Sequence, residues 1–195
     1  MVDMYLVGVG GQGIITASKI IGDAAVLAGK NVLLSETHGM AQRGGSVICT
    51  ARIGDVHSPL IPDGSADVIL SFELLETLRA LCKASRSTTV ISSTERIVPL
   101  SVSTQKLKYP EKEEVAREVG RTSKSFTLVD AANIAAEAGV PMSSNIVMVG
   151  ALAGTGITGL ERSHFERAIA MNIQRKLAEN LRAFSGGFGL TNRQR

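Results

Sequence analysis

The sequence predicts an α/β fold: a Rossmann-like, mainly parallel sheet flanked by helices, with a β-hairpin excursion and a C-terminal helix. Three observations predict it. Short apolar runs of strand length alternate with segments of helical period along the whole chain. A glycine-rich turn, Gly8-Val9-Gly10-Gly11-Gln12-Gly13, joins the first such run to the first helical segment. The core must also be built from small aliphatic residues, because the 195-residue chain is 44% hydrophobic but only 4% aromatic, with no tryptophan.

Met4 to Val9 reads as a buried strand and Gly10 to Gly13 as the turn after it. From Ile14 to Leu27 the apolar residues form a helical stripe, and Gly29 is a natural stop. Asn31 to Leu34 is a second short strand, so the opening reads as the start of a right-handed βαβ crossover. Ser46 to Ile53 is β-rich and meets Gly54-Asp55, which suggests a hairpin returning through Val56 to Ser58 before Pro59 and Pro62. Asp67 to Ser71 is a strand, Phe72 to Ala84 a helix, and Thr88 to Ser92 a strand. Residues 93–110 read as a polar irregular segment, and Glu111 to Gly120 as a charged surface helix. Phe126 to Val129 is a strand, after which Asp130 caps a helix ending at Ala138 before Gly139 and Pro141. Ser143 to Leu152 starts with capping residues and turns apolar, and Gly154, Gly156 and Gly159 break it. Ser163-His164-Phe165-Glu166 reads as a capping box for a helix reaching about Phe184. Residues 1–184 are thus expected to form one domain, and the glycine-rich residues 185–195 a flexible tail.

Lys and Arg number 21 against 18 acidic residues, a net charge of +3, and they are scattered without interleaved aromatics, which argues against nucleic-acid binding. The apolar segment from Ile14 to Ala28 carries Lys19 and Asp23, so a membrane span is not expected. The N-terminus lacks the basic region of a signal peptide, and Cys49 and Cys82 form no CxxC pattern. A cytoplasmic chain with two reduced thiols is the expectation. The two cysteines cannot supply the four thiolates of an ordinary iron–sulfur cluster. The three histidines, His38, His57 and His164, lack ligand spacing, so no metal site is expected.

Gly8, Gly10 and Gly13 match G-x-G-x-x-G between a strand and a helix. Glycine permits the tight turn and lets the backbone approach a ligand, while the helix N-terminus attracts an anion. Glu36, at the end of the second strand, stands near where a ribose-binding carboxylate belongs. Three readings stay open: a dinucleotide, another phosphate-bearing ligand, or glycines that only let helix and sheet pack closely. Gln12 inside the turn, and Glu36 leading straight into the next motif, count against a nicotinamide dinucleotide.

That next motif is the densest polar segment of the chain: Ser35-Glu36-Thr37-His38-Gly39-Met40-Ala41-Gln42-Arg43-Gly44-Gly45-Ser46-Val47. A loop this rich in planar polar side chains and glycine is expected to touch a ligand or a partner. Together with the glycine turn, Ser58-Pro59, Ala66-Asp67 and Asn145-Ile-Val-Met-Val-Gly-Ala151, it resembles the gamma-type domain of 2-oxoacid:ferredoxin oxidoreductases. The Ser-Glu-x-His-Gly-Met-x-Gln-Arg-Gly-Gly form is most similar to the small subunits of the members that act on indolepyruvate. The resemblance covers about Met4 to Leu181.

The resemblance implies a complex that oxidatively decarboxylates an aryl pyruvate, passes the acyl group to coenzyme A and reduces ferredoxin. It places thiamine diphosphate, Mg and the iron–sulfur clusters on a large (alpha) subunit. This chain would be that subunit's companion, inactive alone, binding no cofactor tightly but in reach of coenzyme A. On that reading Gly10 to Gly13 hold an anionic group such as a coenzyme A phosphate, or meet the large subunit. Arg43 suits a carboxylate, a phosphate or an inter-subunit ion pair. His38 serves proton transfer or fixes its own loop. Gln42 and Asn145 read as loop-anchoring amides. The candidate ligand- or subunit-binding set is therefore Gly8, Gly10, Gly11, Gln12, Gly13, Glu36, His38, Gln42, Arg43, Gly44 and Asn145. Surface meant for the large subunit can also pair two copies into a homodimer when the chain is isolated. Two other classes compete: a stand-alone NAD(P)-dependent oxidoreductase and a non-enzymatic Rossmann-like ligand-binding domain.

Overall fold

In the computed structural model, which describes residues 1–38, 45–97 and 109–192, one six-stranded sheet forms the centre. The chain runs β1 (Val2–Val9), α1 (Ile14–Leu27), β2 (Val32–His38), β3 (Ser46–Ile53), β4 (Val68–Ser71) and α2 (Leu74–Ala80). A 3-10 turn (Leu81–Lys83) leads to β5 (Thr89–Ser93), α3 (Lys112–Thr122), β6 (Ser125–Val129) and α4 (Ala131–Glu137). The chain then continues through α5 (Ser144–Thr155), α6 (Arg162–Asn172) and α7 (Leu177–Asn192). The strand order is β2-β3-β1-β4-β5-β6, with only β3 antiparallel to its neighbours.

Alternation along the strands sends side chains to two helical layers. Met4, Leu6, Val68, Leu70 and Ile91 pack beneath α1, α5, α6 and α7. Val7, Ile69 and Val90 pack under α2 and α3, with Leu74, Val115 and Val119. Both faces are covered, which is why β4 is buried along its whole length and β5 from Val90 onward. At the start of β1, Arg52 grips Asp3 with two bonds of 2.8 Å, and the Asp3 backbone N–H donates to Asp67 at 2.8 Å. No helix among the described residues is long and apolar enough to cross a membrane.

Several expectations change. The second strand does not stop at Leu34 but runs to His38, because Ser35, Glu36 and Thr37 pair with Thr50, Cys49 and Ile48 of β3. β3 makes no hairpin with residues 56–58. It lies between β2 and β1 and pairs along its length with both. The opening βαβ unit therefore has a third, antiparallel strand between its two parallel ones. The expected helix from Ser163 to Phe184 divides into α6 and α7, and its cap moves: the Glu161 N–H donates to His164 Nδ1 at 3.2 Å.

Residues 185–192, expected as tail, are helical. The reason is packing. α7 lies parallel to α5 at a separation only glycine allows: a Cβ on Gly187 would collide with the Val147 carbonyl, and one on Gly150 with the Phe184 carbonyl. Thr191 Oγ1 then donates to the Ala151 carbonyl at 2.8 Å. Gly154, read as a breaker, sits inside α5 against Phe188 for the same reason, and the helix ends at Gly156 with φ 64°.

Candidate binding site at the glycine turn

β1 carries the chain up to the turn, and each turn glycine has a separate cause. A Cβ on Gly8 would stand 2.8 Å from Gln12 Oε1 and 2.9 Å from Phe72 Cβ. Gly11 has φ 104° and faces open space. Gly13, with φ 74°, caps α1, and a Cβ there would stand 2.5 Å from Asn145 Nδ2. Gly10 donates its N–H to the Gly45 carbonyl at 2.9 Å, which ties the turn to the far end of the second sequence motif.

Gln12 points inward. Its Oε1 accepts from the Val9 N–H at 2.8 Å, and its Nε2 donates to the Phe72 carbonyl and to Glu95, each at 2.7 Å. Asn145 Nδ2 donates to the Gly13 carbonyl at 3.2 Å, anchoring α5 to the turn. Outside these anchors lies a cavity of about 400 Å³. Gly10, Gly11 and Gly13 form its floor, with Ile15 and Thr16 of α1 and Val47 of β3 as walls. It offers backbone N–H groups of a helix N-terminus in apolar surroundings, and no charged side chain among the described lining residues.

Glu36 lies on β2, paired with Cys49 of β3. β3 separates it from β1, so it stands two strand spacings, about 10 Å, from the glycine strand. The backbone of His38 ends β2, paired with Val47. Gln42, Arg43 and Gly44 lie outside the described residues. The structure thus brings Gly8, Gly10, Gly11, Gln12, Gly13 and Asn145 into one cluster and leaves Glu36 apart from it.

Beside the turn lies a network that the sequence reading missed. Glu73, fully buried, caps α2 by accepting from the Glu76 N–H at 3.0 Å. Its other oxygen accepts from the Ile97 N–H at 3.1 Å and from the Tyr109 hydroxyl. Burial pushes the Glu73 carboxyl above its ordinary value, against the pull of these backbone N–H groups. Buried Glu76 accepts from Ser46 Oγ and from Arg79, each at 2.6 Å. The available signal was Glu-Leu-Leu-Glu directly after an apolar strand, which is an acidic helix cap followed by a first-turn acid. Reading the helix from Phe72 hid it.

The network and the turn occupy the crevice at the carboxyl ends of β1, β4 and β5, where α/β sheets place ligands and contacts. Residues 3–190 match the family described as pyruvate ferredoxin/flavodoxin oxidoreductase. The chain belongs to that family. Among its members it is 45% identical over 188 residues to the indolepyruvate oxidoreductase subunit IorB of Methanothermobacter thermautotrophicus, covering 96% of each chain. It is 43% identical over 187 residues to the IorB of Archaeoglobus fulgidus, covering 95% of this chain and 93% of that one. The fold is shared with the crystal structure of the keto/oxoacid ferredoxin oxidoreductase gamma subunit of Geobacter sulfurreducens (TM-score 0.71, 22% identity, 98% of each chain). In this chain a Rossmann-like glycine turn thus has β3 inserted beside it.

Proposed function

We propose that this chain is the small subunit of an indolepyruvate ferredoxin oxidoreductase. The carrying observation is identity of 43–45% to two IorB subunits over nearly the whole of both. The complex would oxidatively decarboxylate an aryl pyruvate to the aryl-acetyl-coenzyme A and reduce ferredoxin. Thiamine diphosphate, Mg and iron–sulfur clusters belong, on this reading, to the large subunit. The chain's own donor set supports that division. Cys49 is buried within β3 and Cys82 follows α2, and no group of three His, Cys, Asp or Glu among the described residues could hold a metal ion.

The glycine-turn cavity and the motif beginning at Ser35 are then the contact face, holding either a coenzyme A phosphate or a loop of the large subunit. His38, Gln42, Arg43 and Gly44 lie in that motif, and the Gly10–Gly45 bond brings its end to the turn. A nicotinamide reading is disfavoured because β3 holds Glu36 away from β1.

The test is affinity purification of the tagged chain from its native cells. Capture of a large iron–sulfur, thiamine-dependent partner, with ferredoxin reduction that needs both indolepyruvate and coenzyme A, is the expected result. Arg43→Ala and His38→Ala should impair assembly or turnover. A chain recovered alone that binds NAD(P) would overturn the proposal.

A further inference from the structure

Ser46 stands where β3 leaves the ladders of the sheet. It is the first residue of β3 paired with β1, opposite Val9, whereas the pairing of β3 with β2 ends at Val47, opposite His38. Gly45 and Ser46 are therefore held from the β1 side, where the Gly10 N–H donates to the Gly45 carbonyl at 2.9 Å. Among the described residues no ladder pair holds Ser46 on the β2 side. A side chain takes that place. Ser46 shares the α2-side face of β3 with Ile48, and its Oγ donates to Glu76 Oε2 at 2.6 Å.

Glu76 is 1% exposed and lies in the first turn of α2. Both of its oxygens are engaged, Oε2 by Ser46 and Oε1 by Arg79. The Glu73 side chain accepts from the Glu76 N–H, which fixes the first turn of α2 in its turn. A carboxylate buried against such partners is weak support for stability, since apolar residues of similar volume often serve as well. What it supplies is direction: a short bond to a charged acceptor fixes the hydroxyl, where an apolar contact leaves it loose. That direction is delivered beside the glycine-turn cavity, which Gly10 and Val47 line. Gly45, bonded to Gly10, and Ser46, next to Val47 in the chain, join those two lining residues.

We propose that Glu76 is a positioning residue of the glycine-turn cavity, acting through Ser46. It holds the Gly45 carbonyl against the Gly10 N–H and so sets how the turn stands to Val47 across the cavity. Glu76 touches no cavity occupant itself. Its functional weight rests on the reading of this cavity as the contact face of a small subunit.

The first measurement is the exchange rate of the Gly10 amide in the full chain, by NMR. Ser46→Ala should speed it about tenfold, and Ser46→Thr, which keeps the hydroxyl, should hold the parent rate. Ser46 is exposed, so neither variant empties the core. Glu76→Ala should match Ser46→Ala, and the Ser46 pair carries the test if that chain does not fold. Thr88→Val, which loses hydrogen bonds at the opposite ends of the strands, should leave the Gly10 rate unchanged. The second measurement is made on the complex with the large subunit. Ser46→Ala should raise the KM for coenzyme A or the Kd between the subunits about tenfold, with kcat within about twofold, and Ser46→Thr should restore both. An unchanged Gly10 rate in Ser46→Ala, or unchanged KM and Kd in a complex that assembles, overturns the positioning role. A chain that captures no large subunit while its Gly10 rate responds supports the hold on the turn and overturns the subunit reading instead.

Discussion

Gln12 Nε2 donates to Glu95 Oε2 at 2.7 Å, across 83 residues of chain, and so locks the β1–α1 turn to the residue beyond β5. The same amide satisfies the Val9 N–H and the Phe72 carbonyl. Gln12→Ala removes three hydrogen bonds around a partly buried carboxylate. It should cost about 2–3 kcal/mol in urea unfolding. A loss below about 0.5 kcal/mol would mean that water replaces all three bonds.

Glu73 makes stability depend on pH. Its carboxyl titrates above the ordinary 4.5 because it is buried, so the folded chain holds that proton more tightly than the unfolded chain. This contribution is complete below about pH 4.5 and is lost as pH rises through the raised folded value. Glu73→Gln should therefore flatten the fall of Tm as pH rises above about 4.5. The variant also sets an amide beside the Glu76 N–H, so the slope, not the absolute Tm, is the readout. An unchanged slope would assign the dependence to other groups.

The two thiols should differ sharply. Burial pushes Cys49 up to about 11, with the Glu36 charge adding to it. Cys82 is exposed. Iodoacetamide near pH 8 should label one site per native chain and two after denaturation, counted by intact mass. Two labels on the native chain would contradict the burial of Cys49.

Gly150 and Gly120 are both helical but should respond in opposite directions. A Cβ at Gly150 would strike the Phe184 carbonyl of α7, so Gly150→Ala should destabilise by about 3 kcal/mol or more. Gly120 in α3 has nothing within 4 Å, so Gly120→Ala should stabilise by about 0.5–1 kcal/mol. Thermal unfolding of the pair checks both signs, and equal shifts would contradict the close α5–α7 contact.

The strands β1, β4, β5 and β6, the helix α1 and the Asp130 cap were legible in the sequence, because each leaves a pattern of residue types within a few neighbouring positions. A strand covered on both faces carries consecutive apolar residues, as Val68-Ile69-Leu70 do in β4, and Asp130 accepts from Asn133 three positions on. The α7 end was misread because glycine has two meanings. Gly187 and Gly154 look like breakers locally, but they are the residues that let one helix backbone lie against another.

Residue order alone set the class of fold, the glycine turn and the motif from Ser35 that marks the family. The place of β3 was settled by pairing between distant strands, and with it the separation of Glu36 from the glycine turn. The Gln12–Glu95 bond and the buried Glu73 cap were settled in the same way. Periodicity records whether a residue meets apolar neighbours or water. It carries no address for the neighbour, and hydrogen bonds made across the fold depend on that address.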